Sequence, residues 1–280
     1  MSDKGFNGLT VAAFENRMAA ELDGLIERYG GRPMVTPAMR EVALEDNREA
    51  LQFGERVLAD QVDVLILMTG VGLETLIGVL KTRHSLESIT EALGRITLVA
   101  RGPKPTAALK QLGLKPTVTV PEPNTWRDLL QTLDANCPVL GLRVALQEYG
   151  ASNAELLEEL RERGATLFRV PVYRWALPED LDRLREALGN IAAGLVDVLL
   201  ITNAVQVDHV MQVLTKDGRV EPFKKALNRV VVASVGPTAS ERLRHYGWPV
   251  DVEPSHPKMG TLVKETAERA STILGTKRST

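Results

Sequence analysis

The chain repeats itself. ITLVARGPKPTAALKQLGL, from Ile96, returns as VVVASVGPTASERLRHYGW, from Val230, and the two turn glycines stand 236 − 102 = 134 residues apart. The same shift carries DVLILMTGVGLETLIGVL (63–80) onto DVLLITNAVQVDHVMQVL (197–214). From 63–130 onto 197–264 no gap is needed, and sixteen of 68 positions are identical. Unrelated segments of average composition would share roughly four or five. Further back the match continues with one slip: GLTVAAF (8–14) pairs with GLRVALQ (141–147), and GGRPMVTPAMR (30–40) with GATLFRVPVYR (164–174). A unit of this length written twice in 280 residues specifies two domains or half-domains and not a short-period solenoid.

Within each unit, short β-rich apolar runs alternate with amphipathic segments. LTVAAF, VDVLILM and ITLVA read as buried strands; MAAELDGLIERYG, NREALQFGERVLAD and PTAALKQLG read as helices. In the first helix Met18, Leu22, Leu25, Ile26 and Tyr29 share a face. Near-continuous apolar strands between helices imply a parallel sheet covered on both faces. The expected fold class is α/β: two similar doubly wound parallel-sheet domains from a tandem duplication, joined by a two-segment linker. The Pro-bearing segments 35–41 and 169–175 are the expected crossings. They would let the units exchange their first strand and helix, giving one discontinuous domain of 1–36 plus 175–280 and a second of 40–170. Two thin crossings would also make a hinge.

Composition narrows the partners. Net charge is −2 and the charged fraction 25%, so no global positive field points to nucleic acid. One cysteine, Cys137, forbids an internal disulfide, and a cytoplasmic compartment is expected. The start, MSDKGFNGLTVAAF, lacks the pattern of a secretory leader, and no apolar run approaches the roughly 20 residues of a membrane span. A monomer is the simplest assembly.

In such sheets ligands sit beyond the carboxyl ends of the strands, where helices begin with unpaired N–H groups. The strand ends here carry Thr69-Gly70, Gly102-Pro103-Lys104, Gly150 with Ser152 and Asn153, Thr202-Asn203, and Gly236-Pro237-Thr238. Gly102 and Gly236 would permit a tight turn. Pro103 and Pro237 suit a first helical turn, and Thr238 offers a hydroxyl or an N-cap. Together the loops suit carboxylates or phosphates, although Gly-Pro at a strand-to-helix junction is also plain turn chemistry. Lys104, Arg101, Arg174 and Lys258 could add charge or simply be solvated. Gly70-Val71-Gly72 begins like a dinucleotide fingerprint, but position 75 is Thr. There is no P-loop, HExxH, CxxC or Gly-x-Ser-x-Gly elbow, so no metal site and no cofactor are expected.

The ordered series DVLILMTGVGLETL, ARGPKPTAALKQLGL, RVALQEYGASNAELLEELRERGA, VPVYRWALPED, DVLLITNAVQV, SVGPTASERLRHYG and EPSHPKMGTLV resembles the uroporphyrinogen-III synthase family over about 9–270. The resemblance implies two α/β domains, a lyase activity and no cofactor. The implied reaction closes hydroxymethylbilane, a linear tetrapyrrole with eight carboxylates, to uroporphyrinogen III, with loss of water and inversion of the last pyrrole. Such catalysis would be mostly positioning and exclusion of the unguided type I closure. Tyr173 matches the tyrosine of the family's linker motif, which makes it the candidate donor to the departing hydroxyl; a phenol, with a reference pKa near 10, is a neutral donor near pH 7. On the residues alone it reads more readily as an interdomain packing residue; with the resemblance the two readings stand even. Departures stand out. The family often carries a hydroxyl at the third position after each turn glycine, but here Pro105 and Ala239 occupy those places and Thr106 and Ser240 follow them. The loop EYGASN lacks the family's Arg. Two other readings stay open: a non-catalytic tetrapyrrole-binding or regulatory paralogue, and a sugar- or nucleotide-binding α/β protein.

Overall fold

The computed structural model describes residues 5–44, 46–148, 150 and 152–279. In chain order it forms β1 (Thr10–Ala13), α1 (Ala19–Arg28), β2 (Arg32–Val35), β3 (Arg40–Ala43), α2 (Arg48–Leu58), β4 (Val64–Leu67), α3 (Gly70–Leu80) and α4 (Leu86–Gly94). There follow β5 (Thr97–Ala100), α5 (Pro103–Gln111), β6 (Val118–Thr119), α6 (Trp126–Asn136), β7 (Arg143–Gln147), α7 (Ala154–Glu162), β8 (Thr166–Val170) and β9 (Tyr173–Ala176). The last third holds α8 (Asp182–Ala192), β10 (Val198–Ile201), α9 (Ala204–Lys216), α10 (Val220–Leu227), β11 (Val231–Ser234), α11 (Pro237–His245) and α12 (Met259–Ser279). The chain divides into two compact units: unit 1, Met1–Arg40 with Ala176–Thr280, and unit 2, Glu41–Trp175. It passes between them twice, and β3 and β9, at the two passages, pair as a two-stranded sheet.

Unit 2 holds a five-stranded sheet in the order β6-β5-β4-β7-β8, and unit 1 a four-stranded sheet in the order β11-β10-β1-β2. All pairings within these two sheets are parallel. The two registers repeat each other. Val64 pairs with Thr97, and 134 residues on Val198 pairs with Val231. Val64 also pairs with Val144, as Val198 does with Val11, where the offset is 144 − 11 = 133. The slip seen in the sequence therefore lies before the second exchanged strand, because Thr166 and Arg32, which pair with Arg143 and Thr10, are again 134 apart. In unit 1 the counterpart of β6 shrinks to one bridge, Ala233 with Val252, which matches Val99 with Val118.

Burial explains the pattern. Every residue of β4 (VLIL) and β10 (VLLI) is buried, as a central strand covered on both faces requires. In unit 2, α2, α3, α4 and α5 pack one face around Leu65 and Leu67, and α6 and α7 pack the other around Val64 and Ile66. In unit 1, α8 to α11 cover one face and α1 and α12 the other. The Asp-Val that opens both central strands has a defined task. Asp63 Oδ2 accepts the backbone N–H of Arg143 at 2.7 Å, and Asp197 Oδ2 that of Thr10 at 2.8 Å, so each aspartate ties down the start of the neighbouring strand. One expectation needs correction: Met18 is not part of the buried face of α1. It is the exposed N-cap residue, while Leu22 and Ile26 go into the core. Among the described residues no helix is long and apolar enough to cross a membrane.

Candidate functional site

Both sheets reverse direction of growth between the two central strands, β4 and β7 in unit 2, β10 and β1 in unit 1. Ligands of open parallel sheets sit outside the carboxyl ends of the strands at such switch points, and the residues expected from sequence gather at these ends.

In unit 2, Thr69 follows β4 and caps α3, its Oγ1 accepting the Gly72 N–H at 2.9 Å. Its own N–H donates to Gln147 Oε1 at the end of β7, 3.2 Å away, so one hydrogen bond spans the switch point. Gly70 opens α3 where a Cβ would come within 2.8 Å of the Lys104 carbonyl oxygen, so the starts of α3 and α5 lie side by side. Gly102 is the N-cap of α5, with Pro103 next and no side chain capping the turn. In that first turn Pro103 and Pro105 carry no N–H and the Thr106 N–H goes to the Gly102 carbonyl at 3.3 Å, which leaves the Lys104 N–H to meet a ligand. Pro103 and Lys104 are exposed; Pro105 is buried. Thr106 turns its hydroxyl back onto the Gly102 carbonyl at 2.9 Å.

The loop after β7 is fastened to the same place. Gly150 has φ 65, a left-handed conformation that favours glycine. It forms a bridge to Arg174, and its carbonyl accepts the Trp175 N–H at 3.1 Å. Asn153 caps α7, accepting the Leu156 N–H at 3.0 Å. Ser152 donates to Glu148 Oε1 at 2.8 Å, and the other Glu148 oxygen takes two bonds from Arg169. Tyr149 and Ala151 of this loop lie outside the described residues. Tyr173, on β9, is 6% exposed. Its ring meets Trp175 edge-on at 5.4 Å, and its hydroxyl lies 3.4 Å from that of Thr69. Unit 2 therefore brings together Thr69, Gly70, Lys104 and Tyr173, with Gly150 bonded to the strand that carries the tyrosine.

In unit 1 the side chains are more fully engaged. Asn203 caps α9 in a reciprocal box with Gln206. Gln206 Oε1 accepts from the N–H groups of Thr202 (3.0 Å) and Asn203 (3.2 Å), and its Nε2 donates to the Thr202 hydroxyl at 2.8 Å. That hydroxyl donates to Glu15 Oε2 at 2.5 Å, across the switch from the end of β1. Gly236 is the N-cap of α11 and Pro237 its first residue. Of the two roles open to Thr238, N-capping is not the one it takes: Thr238 is the exposed second residue of the helix.

Two readings change. Gly102 and Gly236 have φ of 166 and 165, extended backbone that any residue adopts. Close approach is what favours glycine there: a Cβ would push against the Asn124 side chain at Gly102 and come within 3.0 Å of Pro257 Cβ at Gly236. The hydroxyl that follows Ala239 does not line the loop. Ser240 is fully buried and links Ser234, at the end of β11, to the Glu253 carboxylate. Sequence reasoning missed Gln147, Gln206, Glu15, Glu148 and this serine pair. The one visible signal was that the 134 shift sets Gly72 against Gln206, a trade of no side chain for a long amide.

Residues 20–264 match the family model described as uroporphyrinogen-III synthase HemD. The chain is 29% identical over 269 residues to the uncharacterized protein YjjA of Bacillus subtilis (strain 168), covering 95% of this chain and 97% of that protein. Among solved structures it is similar to a mutant uroporphyrinogen III synthase of the extremely thermophilic bacterium Thermus thermophilus, with 26% identity, TM-score 0.71, and coverage of 95% of this chain and 99% of that one. It also shares the fold of uroporphyrinogen-III synthetase from Helicobacter pylori 26695, at 13% identity and TM-score 0.51 over 92% and 98% of the two chains.

Proposed function

This chain belongs to the uroporphyrinogen-III synthase family, and from that premise we propose that it is a lyase converting hydroxymethylbilane to uroporphyrinogen III, with loss of water and inversion of the last pyrrole. The observation that carries the reading is the arrangement in unit 2, where the buried Tyr173 hydroxyl lies beside Thr69 at the start of α3. A neutral phenol there donates a proton to the departing hydroxyl. The N–H groups that begin α3, with the Lys104 N–H of α5 beside them, receive carboxylates of the substrate, a task that suits a chain of net charge −2. Backbone amides hold the substrate so that ring closure follows one geometry. The enzyme works in the cytoplasm as a monomer and without a cofactor.

A specific observation favours a second reading, a tetrapyrrole-binding paralogue without turnover. Pro105 and Ala239 are buried and the Ser240 hydroxyl is committed to the interior, so the side-chain donors that the family often places after each turn glycine are missing. Product analysis separates the two. With hydroxymethylbilane generated in situ, the synthase yields mainly type III uroporphyrin after oxidation; type I in the proportion of the protein-free control rejects it. In an active enzyme Tyr173→Phe is expected to lower kcat about 100-fold, read from initial rates, and an unchanged rate removes Tyr173 from the mechanism.

A further inference from the structure

The opposite end of the unit 2 sheet carries a groove that the reading above does not use. It lies between the end of α2 and the amino ends of β7 and β8, and has a volume of about 430 Å³. Its walls include Val62, Ala145 and Phe168, with Arg56, Gln61 and Arg143 as polar lining. The Arg56 guanidinium sits 4.4 Å over the Phe168 ring, a stacked placement that holds the charge at the mouth and leaves the N–H edge able to grip an anion.

The local charges show which cation is available. Asp63 takes two bonds from Arg143, at 2.9 and 2.7 Å. Asp60 pairs with Arg95 at 3.0 Å and Glu55 with Arg83 at 3.3 Å. Every acid flanking the groove on α2 and the turn after it thus has another arginine, and among the described residues Arg56 has no carboxylate partner. This end of α2 is its carbonyl end, so a bound anion must be held by side chains and not by the helix. Unit 1 supplies a comparison. The 134 shift puts Asn190 where Arg56 stands and Met34 where Phe168 stands, with Asn190 Nδ2 3.8 Å from Met34 Sδ. Neither the charge nor the ring is part of the shared scaffold; both belong to unit 2 alone.

We infer that this groove binds a small planar ring bearing a carboxylate, which Arg56 grips through the carboxylate while the ring packs beside Phe168. The volume is at the small end of the range for organic ligands, roughly 300–1,000 Å³, which suits a single ring. The inference does not depend on the synthase reading, since the groove is at the other end of the strands.

The test is a titration of the ¹⁵N-labelled full chain with benzoate, cyclohexanecarboxylate, acetate and inorganic phosphate. Benzoate is expected to shift the amides of Val62, Val144 and Phe168 saturably, with Kd on the order of 1 mM and at least about fivefold tighter than the other three. Arg56→Gln, at an exposed position, is expected to weaken benzoate at least about fivefold with the remaining spectrum intact. Phe168→Met, which installs the unit 1 residue, is expected to erase the preference for benzoate over cyclohexanecarboxylate. No saturable shift at these amides, equal binding of acetate or phosphate, or undiminished affinity in Arg56→Gln would each overturn the assignment. Binding is read without turnover, so its failure and a failure of the synthase reading are separate results.

Discussion

The two units meet the same need with different residues. After each first central strand the chain turns into a helix and leaves N–H groups facing the switch point. Unit 2 satisfies Thr69 N–H with Gln147, reaching from the neighbouring strand over Gly72. Unit 1 satisfies Thr202 and Asn203 N–H with Gln206, reaching back from the helix itself. Under the duplication Gly72 corresponds to Gln206, and Gln147 corresponds to buried Phe14. The glutamine has changed elements and the space it vacated has been filled. The backbone fixes where an acceptor must be, and buried amides left without one cost about 1–3 kcal/mol each. It does not fix which strand or helix supplies the acceptor. The consequence for ligands is direct: in both units the crevice where a nucleotide would enter a doubly wound sheet is occupied by a side-chain amide, which counts against a nucleotide-binding reading.

This trade can be broken and restored. A side chain at Gly72 would collide with Gln147, so Gly72→Gln should destabilise by about 3 kcal/mol. Adding Gln147→Phe copies the unit 1 arrangement. Urea unfolding of both single variants and the double should show the double at least about 1 kcal/mol more stable than additivity allows. Strict additivity would mean that the two solutions are not interchangeable.

The turn glycines offer a smaller contrast. Ser240→Ala removes the hydroxyl that joins buried Ser234 to Glu253, and a loss of about 1.5 kcal/mol is expected. Its counterpart Thr106 only doubles a bond to the Gly102 carbonyl, which still accepts the Thr106 N–H at 3.3 Å. Thr106→Ala should therefore cost about 0.5 kcal/mol. Equal effects would show that the serine pair adds nothing to the turn.

A further contrast concerns acid. Hydrogen bonds from the Arg143 guanidinium, then from its backbone N–H, lower the Asp63 carboxyl from 3.8 to about 2. A depressed folded value contributes stability above the ordinary carboxylate range and loses it as pH falls through about 2. Because the pair is partly exposed to solvent, the contribution is at most about 1 kcal/mol. Asp63→Asn should flatten the stability profile over that acid range, measured by urea unfolding at stepped pH. An unchanged slope would assign the acid sensitivity to other carboxylates.

The fold was legible because duplication wrote it twice. The shift that aligned DVLIL with DVLLI also aligns the strand registers, including the one-residue slip, since a strand that slips by one turns its side chains to the wrong face. The strand ends were legible for the same reason. Side-chain roles within them were not. On a helix, moving a hydroxyl one position rotates it by about 100°, which is why Ser240 faces the interior and not the loop. The exchange between Gln147 and Gln206 joins residues on different elements, and a linear reading sees only two unrelated mismatches. Tyr173 could be placed in a motif, but its nearness to Thr69 depends on β9 lying against Gly150, a long-range pairing with no local signature.

The most direct measurement is the amount of type III uroporphyrinogen formed from hydroxymethylbilane generated in situ, as the ratio of substrate to protein is raised far above one. A catalyst keeps the product predominantly type III at large substrate excess, and this is the expected result. Type III that stops at about one equivalent per chain, or a product mixture indistinguishable from the protein-free control, would contradict catalysis by this protein.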